Sequence, residues 1–333
     1  REGGAVRSPS SPCVGIDLGG TNLRAAVFSD LQAGSATPLA RLRQEVGSDR
    51  SPEAIVERIA MVVPRLLSQA ELGSLRIPVG IGFAGMLRGH QGMVANSPSF
   101  GWRDVPFGAM LQERLGERYA LGIYNDVNAI AYGEFALGAG AGADDILVVY
   151  VGTGIGAGAI CSGRLLDGAN NSAAELGHTK VIIDESARPC ACGLKGCVEA
   201  YAGGQRLQER ARFELSQGAH SEATRLAGDA AQVNPGHLDA AAALGDDYAL
   251  TLYGEVAPLL GLAIANAVSL LNPKRLVLGG GMLSRTPVLR EHVLTAFEMA
   301  VNPPAHEGLE VVDAVLGDDA GLAGAALLAS LDI

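Results

Sequence analysis

The sequence predicts an α/β protein, and three observations carry the prediction. Short apolar runs alternate along the chain with amphipathic or Ala/Leu-rich segments of helical length. The 45 glycines gather at the ends of those runs, as DLGGT, GTGIGAG and LGGGM, and not in low-complexity tracts. At 333 residues the chain also exceeds one average core, which calls for two domains or one large α/β body. Apolar residues make up 48% and no run reads as long enough to cross a bilayer, so a soluble globular protein without a membrane partner is expected. A net charge of −11 with no basic stretch argues against nucleic acid as the main partner.

Residues 1–12, REGGAVRSPSSP, have neither a starting Met nor an apolar segment. They read as a trimmed, disordered tail and not as a signal peptide. Cys13–Leu18, the GGTN turn and residues 23–28 read as strand, turn and strand. Ser51-Pro52-Glu53 opens an amphipathic helix to about Gln69, with Pro in the first turn where its missing N–H costs nothing. Ile77–Phe83 is a buried strand, and 85–98 a long loop with a short strand near Met93. Phe107–Leu115 is a helix, 120–124 a strand and 125–138 a helix. An apolar strand at 145–151 leads through the second glycine run to a strand at 158–161. Residues 205–271 are mostly helical, broken near Gly218 and at Asn234-Pro235-Gly236. A strand at 275–278 ends in GGG; a helix from about Pro287, a strand near 309–315 and the helix Asp319–Leu331 complete the alternation.

Two glycine turns follow apolar strands: Asp17-Leu18-Gly19-Gly20-Thr21 and Gly152-Thr153-Gly154-Ile155-Gly156. A dinucleotide-binding turn would open a helix straight after its glycines, whereas Ala159, Ile160 and Cys161 continue as strand. No Walker lysine pattern is present. The pair reads as glycine hairpins, each with a Thr hydroxyl and bare backbone N–H groups that can make an anion-binding concavity. Asp17 adds a carboxylate suited to hydrated Mg²⁺. The third cluster, Gly279-Gly280-Gly281, can let a flat ring lie against backbone, or can be a plain strand-to-helix turn. Asn125 and Asp126 end a strand and open a helix, so Asn125 can cap while Asp126 faces outward, where a catalytic base would sit.

His178, Cys190, Cys192 and Cys197 place one imidazole and three thiols in a segment broken by Gly and Pro. That is a donor set for a saturated, structural Cys3His zinc. Glu175 and Glu199 flank the ligands, so the metal would also fix the direction of two carboxylates lining a polar binding site. Five cysteines without an export signal argue against disulfides and for a cytoplasmic protein.

In this order the motifs DLGGTN, NDVNA, GTGIGAG, ELGH, CACGLKGCVEAYA and NPKRLVLGGG resemble the ROK family of sugar kinases and repressors. That family lies within the two-domain, actin-like ATPase fold, ribonuclease H-like, with an interdomain cleft. The resemblance implies a small α/β domain of residues 13–124 plus 317–333 and a large one of 125–316 carrying the zinc knuckle. It implies an ATP-dependent hexose kinase in which Asp126 takes the proton of the sugar hydroxyl. Asn96, Asn125, Glu175, His178 and Glu199 would bind the sugar, with His178 doubling as a zinc ligand. Asp17, Gly19, Gly20, Thr21, Thr153 and Gly154 would hold Mg-ATP phosphates, and Gly280 and Gly281 the adenosine. Relatives commonly dimerise, so a homodimer is expected. This chain has Ala84 where the family often has Pro, and Gly203 where it often has Ser, both near the sugar end.

Glucose is the first expectation for the sugar, with N-acetylmannosamine, N-acetylglucosamine, mannose and fructose as alternatives and polyphosphate as an alternative donor. The rival class is a sugar-responsive repressor, which would carry a helix-turn-helix ahead of Asp17 and would be free to lose Asp126. A non-catalytic sugar-binding protein is the third reading.

Overall fold

The structure, a computed structural model, describes residues 12–31, 37–72, 76–89 and 91–331; the expected tail lies outside these apart from Pro12. The elements in chain order are β1 (Cys13–Leu18), β2 (Asn22–Phe28), β3 (Ala40–Glu45), α1 (Pro52–Gln69), β4 (Ile77–Phe83), β5 (Met86–Arg88), β6 (Met93–Ser97), β7 (Trp102–Val105), α2 (Phe107–Leu115), β8 (Tyr119–Asn125) and α3 (Asp126–Leu137). There follow β9 (Ile146–Val151), β10 (Ile155–Cys161), β11 (Arg164–Leu165), α4 (Glu199–Ala202), α5 (Gly204–Ser216), α6 (Glu222–Ala227), α7 (Pro235–Ala243), α8 (Asp247–Leu271), β12 (Arg275–Gly279), α9 (Pro287–Ala300), α10 (Pro303–His306), β13 (Glu310–Asp313) and α11 (Asp319–Leu331). Two five-stranded sheets have the orders β3-β2-β1-β4-β8 and β11-β10-β9-β12-β13, and β5-β6-β7 form a third. The α/β class is as expected.

Packing divides the chain into two units: Arg1–Ile146 with Gly158–Ala174 and Ala314–Ile333, and Leu147–Ala157 with Glu175–Asp313. In the first, β1 runs antiparallel to β2 and parallel to β4, which is parallel to β8. Side chains alternate across a strand. Val14, Ile16 and Leu18 therefore share one face, and they join Ile55, Ile59, Val63 and Leu66 of α1 in one core. Ser51 caps α1 by accepting from Ala54 N at 3.3 Å, with Pro52 in the first turn.

The opposite face is reserved for backbone. Gly15 and Gly80 pair in register, and a Cβ on either would stand 1.9 Å from Leu322 O or 1.8 Å from Ala325 O of α11. α3 meets α11 as closely: a Cβ at Gly133 would fall 2.3 Å from Ala320 O, and one at Gly324 1.8 Å from Ala129 O. The sequence reading set a domain boundary between 124 and 125. In the structure α3 packs instead with β1–β8 and α11, because glycines and alanines leave the two helices nothing to hold them apart. The buried Glu134 closes the far end of α3 by accepting from Ala139 N at 2.9 Å, Val315 N at 3.1 Å and Leu316 N at 2.9 Å.

Four strands, β3, β5, β7 and β11, lie where the sequence predicts none. β3, ARLRQE, is a sheet-edge strand alternating half-buried and exposed, so it has no apolar run to announce it. β10 begins at Ile155, inside the expected glycine turn. In the second unit α8 is 25 residues long and apolar enough to cross a bilayer by length and composition, against the expectation that no segment reaches that size. It packs against α4, α7, α9 and α10, and that burial accounts for its apolar character.

The α3–α11 contact generates a test. In an isolated helix Gly→Ala gains about 1 kcal/mol, but at Gly324 the added methyl meets a carbonyl that cannot turn aside. We expect Gly324→Ala to destabilise by about 1–3 kcal/mol, read as a lowered urea midpoint; an unchanged or raised midpoint would refute the close approach.

Candidate functional site

In the first unit the expected residues of the first glycine turn and the expected base share one cavity of about 390 Å³. Its lining includes Asp17, Gly19, Gly20, Thr21, Arg24, Arg43, Asp126 and Asp318. Local geometry explains why. Asn125 ends β8 and caps α3, its Oδ1 accepting from Val127 N at 2.9 Å and Asn128 N at 3.1 Å. With the cap made by Asn125, Asp126 occupies the first helical position and lines the cavity. The Asn125 Nδ2 donates to Gly85 O at 3.2 Å, and a Cβ at Gly85 would lie 3.0 Å from Asn96 O. Asn96, Asn125 and Asp126 are thus neighbours around one loop. Phe83, Phe100, Trp102 and Phe107 stack beneath that loop at centroid separations of 4.9–5.6 Å.

Sequence reasoning did not name Arg24 and Asp318. Arg24 Nε donates to Asp17 Oδ2 at 3.0 Å, its Nη2 binds the same oxygen, and its Nη1 reaches Asp318 Oδ1 at 2.9 Å. Burial raises the Asp17 carboxyl above the usual range, and the Arg24 guanidinium pulls it back. Arg24 was findable: it is the cross-strand partner of Asp17 once the hairpin register is counted from the glycines. Asp318 carries no motif.

In the second unit His178, Cys190, Cys192 and Cys197 each bring a donor atom to within 4.8 Å of the others. His178 Nδ1 and Cys190 Sγ are 3.6 Å apart, as are the sulfurs of Cys192 and Cys197. Four donors around one tetrahedral zinc stand roughly 3.3–3.8 Å apart, so the donor set fits zinc. Gly193 and Gly196, with φ of 92° and 78°, give the knuckle its left-handed turns. Burial also lowers His178, favouring the neutral imidazole that a metal requires.

Glu175 precedes a single turn of 3-10 helix that carries His178, and Glu199 opens α4 directly after the knuckle. Glu199 Oε2 accepts from Ile155 N at 2.9 Å, and its other oxygen stands 4.0 Å from Cys190 Sγ. Burial, then the charge of Glu199, push Glu175 up to about 7. The second glycine turn is tied to α5 by Gly204 N donating to Gly152 O at 3.0 Å and Gln205 N to Thr153 O at 2.9 Å. Gly280, at φ 92°, lies where a Cβ would be 2.4 Å from Val151 O, and Met282 N donates to that oxygen at 3.0 Å. Gly154 therefore lies beside Glu199, and Gly280 beside Val151 at the end of the strand that leads into the second glycine turn.

The sequence matches the ROK family over residues 13–331. The chain belongs to that family. A glucokinase from Halalkalibacterium halodurans is 32% identical over 316 residues, spanning 93% of this chain and 92% of that protein. A ROK hexokinase from Thermus thermophilus superposes with a TM-score of 0.79 at 30% identity, over 96% of this chain and 98% of that one. A ROK family glucokinase from Streptomyces griseus, solved with glucose and AMPPNP, gives 0.76 at 29% identity over 96% and 99%. The fold is thus the actin-like ATPase fold of the ROK sugar kinases.

The donor geometry generates its own test. Removing one thiol of four donors should strip the metal, so Cys192→Ser is expected to contain far less zinc than the parent by elemental analysis. Equal zinc in both would remove the metal from this knuckle.

Proposed function

We propose that this protein transfers the γ-phosphoryl group of Mg-ATP to a hexose hydroxyl, converting glucose to glucose 6-phosphate, with Asp126 as general base. The class is not at issue: the chain is a sugar kinase of the ROK family. The observation that supports the assignment of Asp126 is its place in one cavity with Asp17 and the Gly19–Gly20–Thr21 turn.

Phosphoryl transfer asks a protein mainly for positioning and charge neutralisation. Asp126 accepts the proton as the sugar oxygen attacks. Backbone N–H groups of the turns at Gly19–Thr21 and Thr153–Gly154 would take the phosphates, and Asp17 would hold a hydrated magnesium, which would supply charge neutralisation there. Arg24 must release part of its hold on Asp17 for that role. Gly280 and Gly281 leave open backbone for adenosine. Asn96, Asn125, Glu175, His178 and Glu199 bind the sugar hydroxyls, and an epimer that leaves those groups unpaired is rejected. His178, Cys190, Cys192 and Cys197 would hold the zinc, which would supply structural support to His178 and to the start of α4 that bears Glu199. Glucose is the preferred acceptor in this reading because the relatives quoted above are glucokinases and a hexokinase. A homodimer in the cytoplasm belongs to the same reading.

The test is ADP release with Mg-ATP across glucose, mannose, fructose and the N-acetylhexosamines. Glucose should give the highest kcat/KM; higher turnover of an N-acetylhexosamine reassigns the acceptor, and turnover with polyphosphate alone reassigns the donor. Asp126→Asn should lower kcat by roughly 10²–10⁴-fold, the worth of general-base catalysis, while glucose still binds by calorimetry. Near-parental turnover would take Asp126 out of the base role.

A further inference from the structure

We propose that Lys180 is a positioning and charge-compensating residue of the zinc knuckle, its ammonium group hydrogen-bonded to the Cys197 sulfur. The inference rests on the zinc reading above and concerns a residue that the donor spacing does not involve. Lys180 Nζ donates to Cys197 Sγ at 2.7 Å and to His178 O at 3.2 Å, so one ammonium touches a ligating sulfur and the backbone of the ligating histidine.

The chain is built to put it there. Lys180 and Cys197 are direct partners in an isolated antiparallel bridge. Hydrogen bonds on either side lock the pairing: Val198 N to Thr179 O at 3.0 Å and Val181 N to Gly196 O at 2.9 Å. A Cβ at Gly196 would lie 1.8 Å from Ile182 O, so the two segments meet backbone to backbone here.

Zn²⁺ with three thiolates and a neutral imidazole carries a net charge of −1. Cys197 and Cys190 are buried, His178 and Cys192 are half-buried, and Lys180 reaches the cluster from the exposed side. A buried negative charge is costly unless it is paired and hydrogen-bonded. Among the described residues Lys180 is the cation that contacts a sulfur of the cluster. Partners of this kind, one bond removed from a metal, typically change its affinity by 10- to 100-fold.

The experiment measures zinc, not turnover. Protein as purified is assayed for metal by elemental analysis, and zinc transfer to a chromogenic chelator is followed for the parent, Lys180→Arg, Lys180→Gln and Lys180→Glu. Lys180→Gln should bind zinc about 10- to 100-fold more weakly, Lys180→Glu more weakly still, and Lys180→Arg close to the parent. Excess zinc should restore the Lys180→Gln far-ultraviolet spectrum and glucose affinity, which separates weakened metal binding from misfolding. Equal zinc affinity in all four proteins overturns the role of Lys180 while leaving the knuckle intact. Loss in Lys180→Arg equal to that in Lys180→Glu also overturns it, because charge would then not be the cause. Parent protein without zinc overturns the knuckle itself.

Discussion

The contact on which the first unit depends is backbone against backbone. α11 lies so close to β1, β4 and α3 that a single methyl at Gly15, Gly80, Gly133 or Gly324 would meet a carbonyl oxygen or carbon. Protein interiors are packed nearly as densely as crystals, so such contacts set distances and do not merely permit them. Here they set the distance that matters. α3 begins with Asp126, β1 carries Asp17, and Gly321 of α11 sits where a Cβ would touch both Ile130 and the Asp17 carboxyl carbon, the latter at 3.9 Å. Asp17 and Asp126 line one cavity.

Most strands and helices were legible because each buries an apolar run or an amphipathic face. What the sequence concealed has a common cause. β3 reads Arg-Leu-Arg-Gln because an edge strand half in water needs little apolar pattern. β10 begins inside what looks like a turn, since its glycines weaken any strand signal; yet Gly158 is required by the approach of Ala131, 2.5 Å from where its Cβ would be. The motif GTGIGAG therefore does two jobs. Gly152 and Gly154 turn the chain, and Gly158 lets a helix approach a strand.

The site was legible to the extent that its parts are local in sequence. His178 and the three cysteines fall within 20 residues, and donor chemistry names them without tertiary information. Asn125 and Asp126 are adjacent, and the capping rule already separates their roles: the Asn125 oxygen caps the helix, while Asp126, whose Oδ1 accepts from Val127 N at 2.9 Å, lines the cavity. Arg24 follows from the hairpin register, but Asp318 and Glu134 are not legible. Asp318 reaches the site through Arg24 from the loop 314–318, which Glu134 anchors from α3, and no local pattern encodes contacts across that separation.

The two departures from the family pattern become intelligible once the backbone around them is seen. Ala84 donates its N–H to Leu18 O at 3.1 Å and accepts from Ser97 Oγ at 2.7 Å. A proline at this position would have no N–H to give, so this chain ties the sugar-side loop to the end of β1 by a bond the commoner residue cannot make. At Gly203 a Cβ would stand 2.8 Å from Glu199 O and 3.2 Å from Glu199 Cγ. A serine there would press on the stem of a proposed sugar-binding carboxylate, whereas glycine leaves that carboxylate to the backbone N–H of Ile155. Neither change touches a proposed polar contact to the sugar. Each alters how firmly such a contact is held, and a pocket that discriminates among hydroxyl stereochemistries by leaving its own groups unpaired is sensitive to that firmness.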